Sequence, residues 1–301
     1  MALERVRTAL AGRWRRLAVH GLFLLLSGGV LAALVVSSWP QLSTYDWRVR
    51  WWPLAAAVPA YLVALGLAIY AWSRLLQHLG GRLSYREHLR IYALTLVAAR
   101  LPGAPWHIAG RAVLYKERGL SRRVTALAAG MEILMIASAG AVTGLLILPQ
   151  TMSAYPWLWL SVLALAVAGL VLIHPRFTPW ALRLLKQTEM PPQLSYRQLL
   201  LVMGVYVADW AAGGVVLFAL ASMVYAVPLS DLPLVIGAWS LSGTLATLVV
   251  VVPSGLGLRE VTLSLLLGLI MPAGVAVMVA VIVRIFFTLI ELIVALAASR
   301  L

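Results

Sequence analysis

The segment ARLPGAPWHIAGRAV, residues 99–113, interrupts a chain that is otherwise strongly apolar. Its fifteen residues include two arginines, a histidine, two prolines and two glycines. Proline and glycine interrupt helices, and a charged side chain is costly inside a bilayer. The segment therefore indicates a break in the membrane part of the fold, with polar groups at the break.

The composition around this break predicts an all-α polytopic membrane protein, with residues 1–301 forming one transmembrane domain. The chain is 62% hydrophobic and 11% charged, whereas soluble domains have roughly 45–50% apolar and 25% charged residues. The net charge of +14 is typical of cytoplasmic loops that contact anionic lipid, so no nucleic-acid partner is expected. Because cysteine is absent and the five histidines are scattered, we expect neither a metal nor another cofactor.

Six apolar runs are long enough to cross a bilayer, which takes about 20 residues. We interpret the first as an uncleaved helix, because no A-x-A site follows a short apolar core. The runs are residues 17–39, 52–73, 124–148, 155–173, 199–227 and 273–298.

The distribution of basic residues predicts the orientation of these runs. Lys and Arg concentrate in the N-terminal arm and in the loops 74–90, 116–123 and 174–197, which places these loops and both termini in the cytoplasm of an inner-membrane protein. Residues 89–115 must then enter and leave on the same side. Their 27 residues are too few for two crossings, which need about 40. We therefore predict a re-entrant hairpin that turns at residues 101–105.

A second break, VVPSGLGLRE at residues 251–260, divides the apolar region 232–271. Its arms are long enough to leave both a re-entrant hairpin and two full spans open. Residues 1–150 and 151–301 then each contain two helices, a hairpin and a helix, starting on opposite sides of the membrane. This pattern predicts six full spans plus two broken or re-entrant helical hairpins in an inverted-topology repeat, with a substrate site near the midplane.

The ionisable residues in apolar segments are the candidate site residues, because such groups are usually functional or paired. The sequence leaves open whether the carboxylates only neutralise the arginines or also take part in function. Arg284 and Glu291 share a helix face and are expected to pair with other helices, whereas Arg100 either reaches the interface or pairs with Glu132. The set comprises Arg100, His107, Arg111, Glu132, Asp209, Arg259, Glu260, Arg284 and Glu291.

The arginines beside the two breaks are the strongest candidates for substrate binding. Arg111 and Arg259 each follow a break, near the start of a returning helix. A guanidinium binds phosphate bidentately, and a helix N-terminus also favours an anion. Gly103, Gly255 and Gly257 allow the backbone to approach a ligand closely. These features predict a site for a phosphate or a lipid headgroup. A neighbouring carboxylate such as Glu132 stays open as the alternative partner of Arg111.

Trp106, His107 and Glu260 complete this predicted site. His107 is either a neutral hydrogen-bonding group or a protonation switch. The chain has no H-E-x-x-H, G-x-S-x-G or P-loop motif, so we do not expect an enzyme. A transferase acting on a lipid-linked sugar stays an alternative, with Glu260 or Asp209 as its base.

The second break also carries a resemblance. PSGLGLRE, residues 253–260, resembles the P-G-G-L-G-x-R-E signature of the lysylphosphatidylglycerol synthase transmembrane-region family, with Ser254 in place of the usual glycine. The first hairpin is similar to that family's other motif, although the commonest version has Gly-Glu where this chain has Trp106-His107. Arg284 and Glu291 match the polar pattern of the family's last helix.

The resemblance implies an inner-membrane protein that moves a lipid with a charged headgroup, as a flippase does. The partner would be a membrane phospholipid or a polyprenyl-phosphate lipid. Full-length members of the family add a soluble synthase domain, and this chain of 301 residues leaves no room for one, so we expect it to depend on a separate lipid-modifying enzyme. A homodimer and a non-catalytic scaffold also stay open.

Overall fold

The computed structural model describes residues 29, 32–99, 106–147, 156–177, 195–248 and 257–300. These residues form helices and connecting turns without any strand, which confirms the predicted all-α class. The α-helices are α1 Trp39–Thr44, α2 Leu54–His78, α3 Tyr85–Ala99, α4 Trp106–Glu117, α5 Arg122–Gly144, α6 Pro156–Leu172, α7 Tyr196–Ser222, α8 Leu232–Leu248, α9 Leu258–Leu267 and α10 Ala273–Ser299.

Four of these helices, α2, α5, α7 and α10, are long and apolar enough to cross a membrane. They coincide with four of the six predicted spans. The predicted span 155–173 folds as α6, an apolar helix of 17 residues. Most of the predicted span 17–39 lies outside the described residues.

Two pairs of shorter helices flank the two predicted breaks. Helices α3 and α4 pack against each other on either side of residues 100–105, and α8 and α9 do so around residues 249–256. With 12 residues in α4 and 10 in α9, these helices are about 18 and 15 Å long. The hydrocarbon core is about 30 Å thick. Helix α9 is thus about half as long as this core is thick, and residues 100–105 and 249–256, at the two predicted breaks, lie outside the described residues.

Serine caps define where two of the long helices begin. The Ser121 hydroxyl accepts a hydrogen bond from the Val124 backbone N–H at 3.1 Å at the start of α5. At the start of α7, Ser195 and Gln198 form a reciprocal capping box. Both caps satisfy backbone donors that have no partner within the helix. They fix the starts of α5 and α7, the helices that carry Glu132 and Tyr206.

Helix α8 lies at the centre of the bundle, against α5 and α7. Small residues on the neighbouring helices make this possible. A Cβ atom on Gly140 of α5 would lie 2.0 Å from Thr244 Oγ1, and one on Gly213 of α7 would lie 2.2 Å from Trp239 Nε1. Glycine at these positions lets helices approach closely, as is common in membrane bundles. The close packing holds Trp239, whose ring contacts the Arg259 guanidinium.

Candidate functional site

The first polar cluster is a closed ion pair between α4 and α5. Arg111 Nη1 lies 2.6 Å from Glu132 Oε2, and each side chain is only 4% exposed. Arg111 Nε also donates to Thr95 Oγ1 at 3.3 Å. The Tyr92 and Tyr206 hydroxyls donate to Glu132 Oε1 at 3.3 and 3.5 Å. The carboxylate is thus held from three helices, and the two charges compensate each other directly.

Aromatic rings cover the Arg111 guanidinium. Its Cζ atom lies 4.6 Å from the Trp72 ring centroid and 3.8 Å from that of Tyr92. Trp72 Nε1 donates to the Tyr115 hydroxyl at 2.8 Å, and that hydroxyl contacts His88 Nδ1 at 2.9 Å. Cation–π contacts at such desolvated positions contribute about 2 kcal/mol. The network therefore anchors Arg111 in the interior of the bundle.

This cluster lies near the middle of the long helices. Glu132 is ten residues from the first residue of α5, and Tyr206 is ten residues from the first residue of α7. Ten residues of α-helix span about 15 Å, which is about half the hydrocarbon thickness. The ion pair therefore lies about half a bilayer thickness along each of these helices, measured from its first residue.

The second polar cluster joins α9 to α10. Arg284 Nη1 donates to Glu260 Oε1, and the other carboxylate oxygen of Glu260 accepts the Gly257 backbone N–H at 2.9 Å. Gly257 has φ of +86°, which glycine tolerates and other residues rarely adopt. The Arg284 side chain is 25% exposed. The second ion pair is therefore more accessible than the first.

Arg259 lies beside this second ion pair, against an aromatic stack. Its Cζ atom is 3.8 Å from the Trp239 ring centroid, and Trp239 stacks on Phe287 of α10 with 4.9 Å between ring centroids. A Cβ atom on Gly243 would lie 3.5 Å from Arg259 Nη2, so α8 passes close to the guanidinium. The stack fixes the plane of the Arg259 guanidinium relative to α8 and α10.

The two clusters share a pattern. In each helix pair, an aromatic ring of the first helix covers an arginine of the second at 3.8 Å, namely Tyr92 with Arg111 and Trp239 with Arg259. In each, an Arg–Glu bridge then ties the second helix to the next long helix. The two bridges differ in which helix carries which charge. In the first, α4 supplies the arginine, whereas in the second α9 supplies the glutamate.

The remaining ionisable candidates lie close to these clusters. Asp209 is half-buried and lies one turn after Tyr206, which contacts Glu132. His107 is half-buried and lies four residues before Arg111 on α4. Glu291 is buried on α10, two turns after Arg284. In the described parts of the chain, no group of three His, Cys, Asp or Glu residues could hold a metal ion.

Several predicted site residues are not placed by the structure. Arg100, Gly103 and Gly255 lie outside the described residues, as does the side chain of Trp106. The pairing of Arg100 with Glu132 was one of two alternatives from the sequence. The structure gives Glu132 the partner Arg111, and the two alternatives for Arg100 stay open.

The uncharged residues of both clusters are not among the residues predicted from the sequence. The sequence does contain one signal for them, a similar spacing of 19 residues from Tyr92 to Arg111 and 20 residues from Trp239 to Arg259. The missed residues are Trp72, Tyr92, Thr95, Tyr206 and Trp239.

Comparison with known proteins identifies the family. A family model described as the lysylphosphatidylglycerol synthase TM region matches residues 16–295, which is most of the chain. A search of curated proteins found no match. Together with the four long apolar helices, the family match shows a multi-pass membrane protein with a lipid-related function. The chain therefore belongs to the lysylphosphatidylglycerol synthase transmembrane-region family.

Proposed function

We propose that the protein is a lipid translocase that moves a lipid with an anionic or phosphate-bearing headgroup across the cytoplasmic membrane. In this proposal the headgroup contacts Arg284 and Arg259, and the acyl chains remain in the bilayer beside α10. The proposed orientation keeps both termini and the basic loops in the cytoplasm. Phospholipids and polyprenyl-phosphate lipids share the phosphate group that two arginines would recognise.

One observation carries this proposal, the partial exposure of Arg284 in the middle of α10. Arg284 is the twelfth of the 27 residues of this helix, and its side chain is 25% exposed. The next residue, Ile285, and Leu289 one turn later are 54% and 55% exposed, as lipid-facing residues are. An accessible charge at this depth is costly and is functional by default. It supports a groove through which a headgroup passes.

The hydrogen bonds of the second cluster support a binding role rather than a catalytic one. A guanidinium has five N–H donors, so Arg284 can hold Glu260 and a phosphate oxygen together. Both carboxylate oxygens of Glu260 are engaged, one by Arg284 and one by Gly257. A general base needs an oxygen that can reach the substrate proton. This arrangement disfavours Glu260 as the base of a transferase.

The enclosure of Arg111 supports a different role for the first cluster. With its faces covered by aromatic rings and its side chain 4% exposed, Arg111 would anchor the first hairpin rather than bind headgroups itself. The non-catalytic scaffold alternative thus applies to this pair. The shared pattern of the two clusters supports the inverted repeat of residues 1–150 and 151–301. In this proposal the first half stabilises the bundle, and the second half carries the arginines that contact the headgroup.

Reconstitution tests this proposal. Purified protein would be placed in liposomes with phosphatidylglycerol carrying a fluorescent NBD group, and dithionite quenching would report the initial rate of translocation. We expect the initial translocation rate with the native protein to be at least tenfold higher than in protein-free liposomes. The Arg284→Gln variant should lose most of this increase. Arg118→Gln is the matched control, because Arg118 pairs with Glu87 at an accessible position outside both clusters. A native rate equal to that of protein-free liposomes would contradict the proposal.

A further inference from the structure

Residues 41–50, which we call the strap, comprise the last four residues of α1 and the segment that leads towards α2. They lie at the opposite end of α2 from the basic loop 74–90. Three hydrogen bonds tie the strap to the ends of two other helices. Gln41 Oε1 accepts the Gly274 backbone N–H of α10 at 2.8 Å. The Tyr45 hydroxyl donates to the Val224 carbonyl at 3.1 Å, and the Arg50 backbone N–H donates to the Met223 carbonyl at 2.8 Å. The strap therefore connects the end of α7 to the beginning of α10.

The contact with α10 is close and specific. Gly274 is the second residue of α10, so its N–H has no acceptor within the helix and needs one from elsewhere. Gln41 supplies that acceptor, and the neighbouring Leu42 is 4% exposed. A Cβ atom on Gly274 would lie only 3.0 Å from the Gln41 Cβ. A single hydrogen bond of this kind makes a small net contribution to stability, so it can hold the helix end and also release it.

The helix held by the strap is also the one that carries Arg284. Of the four long helices, α10 has the smallest buried share. It is attached to α9 by the ion pair between Glu260 and Arg284, and to the strap by Gly274. Helix α10 also packs against α3, so the two attachments act at its start and near its middle. Release of the strap would let the start of α10 move away from α7.

We propose that the strap is a releasable latch on α10, and that Gly274 must separate from Gln41 before the groove at Arg284 opens to the side where the strap lies. The inference deepens the proposed translocation, since it assigns α10 as the moving element. While the latch is closed, the headgroup would have access to Arg284 only from the other membrane side. Each transport cycle would then break and reform the hydrogen bond from Gly274 N–H to Gln41.

The absence of native cysteine allows a direct test by cross-linking. In the double variant Gln41→Cys with Gly274→Cys, the two Cβ positions are 3.0 Å apart. A disulfide requires about 3.5–4.5 Å between its Cβ atoms, so a shift of about 0.5 Å is enough. Gly274 is not among the positive-φ glycines, so cysteine fits its backbone. We expect quantitative disulfide formation with mild oxidant. A yield below half would contradict the docked strap.

Translocation of NBD-labelled phosphatidylglycerol by the oxidised variant should then fall at least tenfold. Dithiothreitol should restore the rate to within twofold of that of the double variant before oxidation. The single variants Gln41→Cys and Gly274→Cys are the controls for the oxidant, and the rate of each should be the same before and after oxidation. A native rate in the fully cross-linked protein would overturn the latch.

Hydrogen exchange separates this inference from the proposed function. We expect the first-turn amides of α10 to exchange at least tenfold faster in the reduced double variant than in the oxidised one. The loosened variant Gln41→Leu should exchange faster than native. Equal exchange in the oxidised and reduced forms would overturn the latch. If exchange responds as expected while the native protein moves no lipid, the latch stands and the proposed translocation fails.

Discussion

Arg111 and Glu132 form an ion pair that is closed to lipid and water, with 2.6 Å between the charged atoms and 4% exposure of each side chain. The pair formed by Arg284 and Glu260 is more open. Removal of one partner from a buried pair leaves an uncompensated charge, whereas removal of both leaves none. The two ion pairs should therefore respond differently to mutation.

Stability measurements should show the closed pair to be structural. Arg111→Met or Glu132→Leu alone should each destabilise the protein by about 3–5 kcal/mol, because the remaining charge stays buried. The double variant should recover most of this loss, since apolar side chains then fill the space. Unfolding in mixed micelles of increasing SDS content measures all three. A double variant whose loss equals the sum of the single losses would contradict the pairing.

Charge reversal at the open pair should not restore the protein. Glu260→Arg with Arg284→Glu keeps two opposite charges, but an arginine at position 260 cannot accept the Gly257 N–H that Glu260 now binds at 2.9 Å. The loss of this buried acceptor should cost about 1–3 kcal/mol. Thermal unfolding in detergent measures the difference from native. Native stability in the reversed variant would show that Glu260 has no capping role.

The close approach of α5 and α8 should make Gly140 intolerant of a side chain. A Cβ there would lie 2.0 Å from Thr244 Oγ1 and 3.0 Å from Trp210, so Gly140→Ala should destabilise by about 1–3 kcal/mol through overpacking. Gly130→Ala on the same helix is the matched control, because nothing lies within 4 Å of its Cβ position. Alanine at position 130 should be neutral or stabilising. Equal effects of the two substitutions in thermal unfolding would contradict this helix packing.

Backbone conformation should make Gly257 equally sensitive. Its φ of +86° strains any other residue, so Gly257→Ala should cost about 1–3 kcal/mol. The strain should also shift the start of α9 and weaken the contact of Glu260 with Arg284. Gly204→Ala, in open space on α7, is the control and should not destabilise. Matching melting temperatures for the two variants would rule out this conformational requirement.

The charged parts of the site could be predicted from the sequence because charges are rare in this chain. An arginine or glutamate inside an apolar run is conspicuous, so Arg111, Glu132, Glu260 and Arg284 were identified before the structure. The sequence offers Glu132 as one of two possible partners of Arg111 but cannot decide the pairing, because the contacts join residues 21 and 24 positions apart on helices whose packing no local pattern specifies. The helix breaks followed from proline, glycine and loop charge.

The uncharged partners were harder to find because tryptophan and tyrosine are common in membrane proteins. An aromatic residue in an apolar run has no special signal, whether it faces lipid as Trp52 does or covers an arginine as Trp239 does. Gln41 likewise gave no signal, since its acceptor role at Gly274 spans 233 residues. Such contacts depend on tertiary packing, which only the structure supplies.

Photolabelling tests the central claim most directly, namely that a lipid headgroup reaches the open pair of Glu260 and Arg284. Phosphatidylglycerol with a diazirine on its headgroup would be incorporated with the protein into liposomes, irradiated and mapped by peptide mass spectrometry. The account predicts labels on α9 and α10 near these two residues, reduced at least tenfold in Arg284→Gln and by excess unlabelled phosphatidylglycerol. Labels confined to the basic loops at the ends of the helices would contradict it.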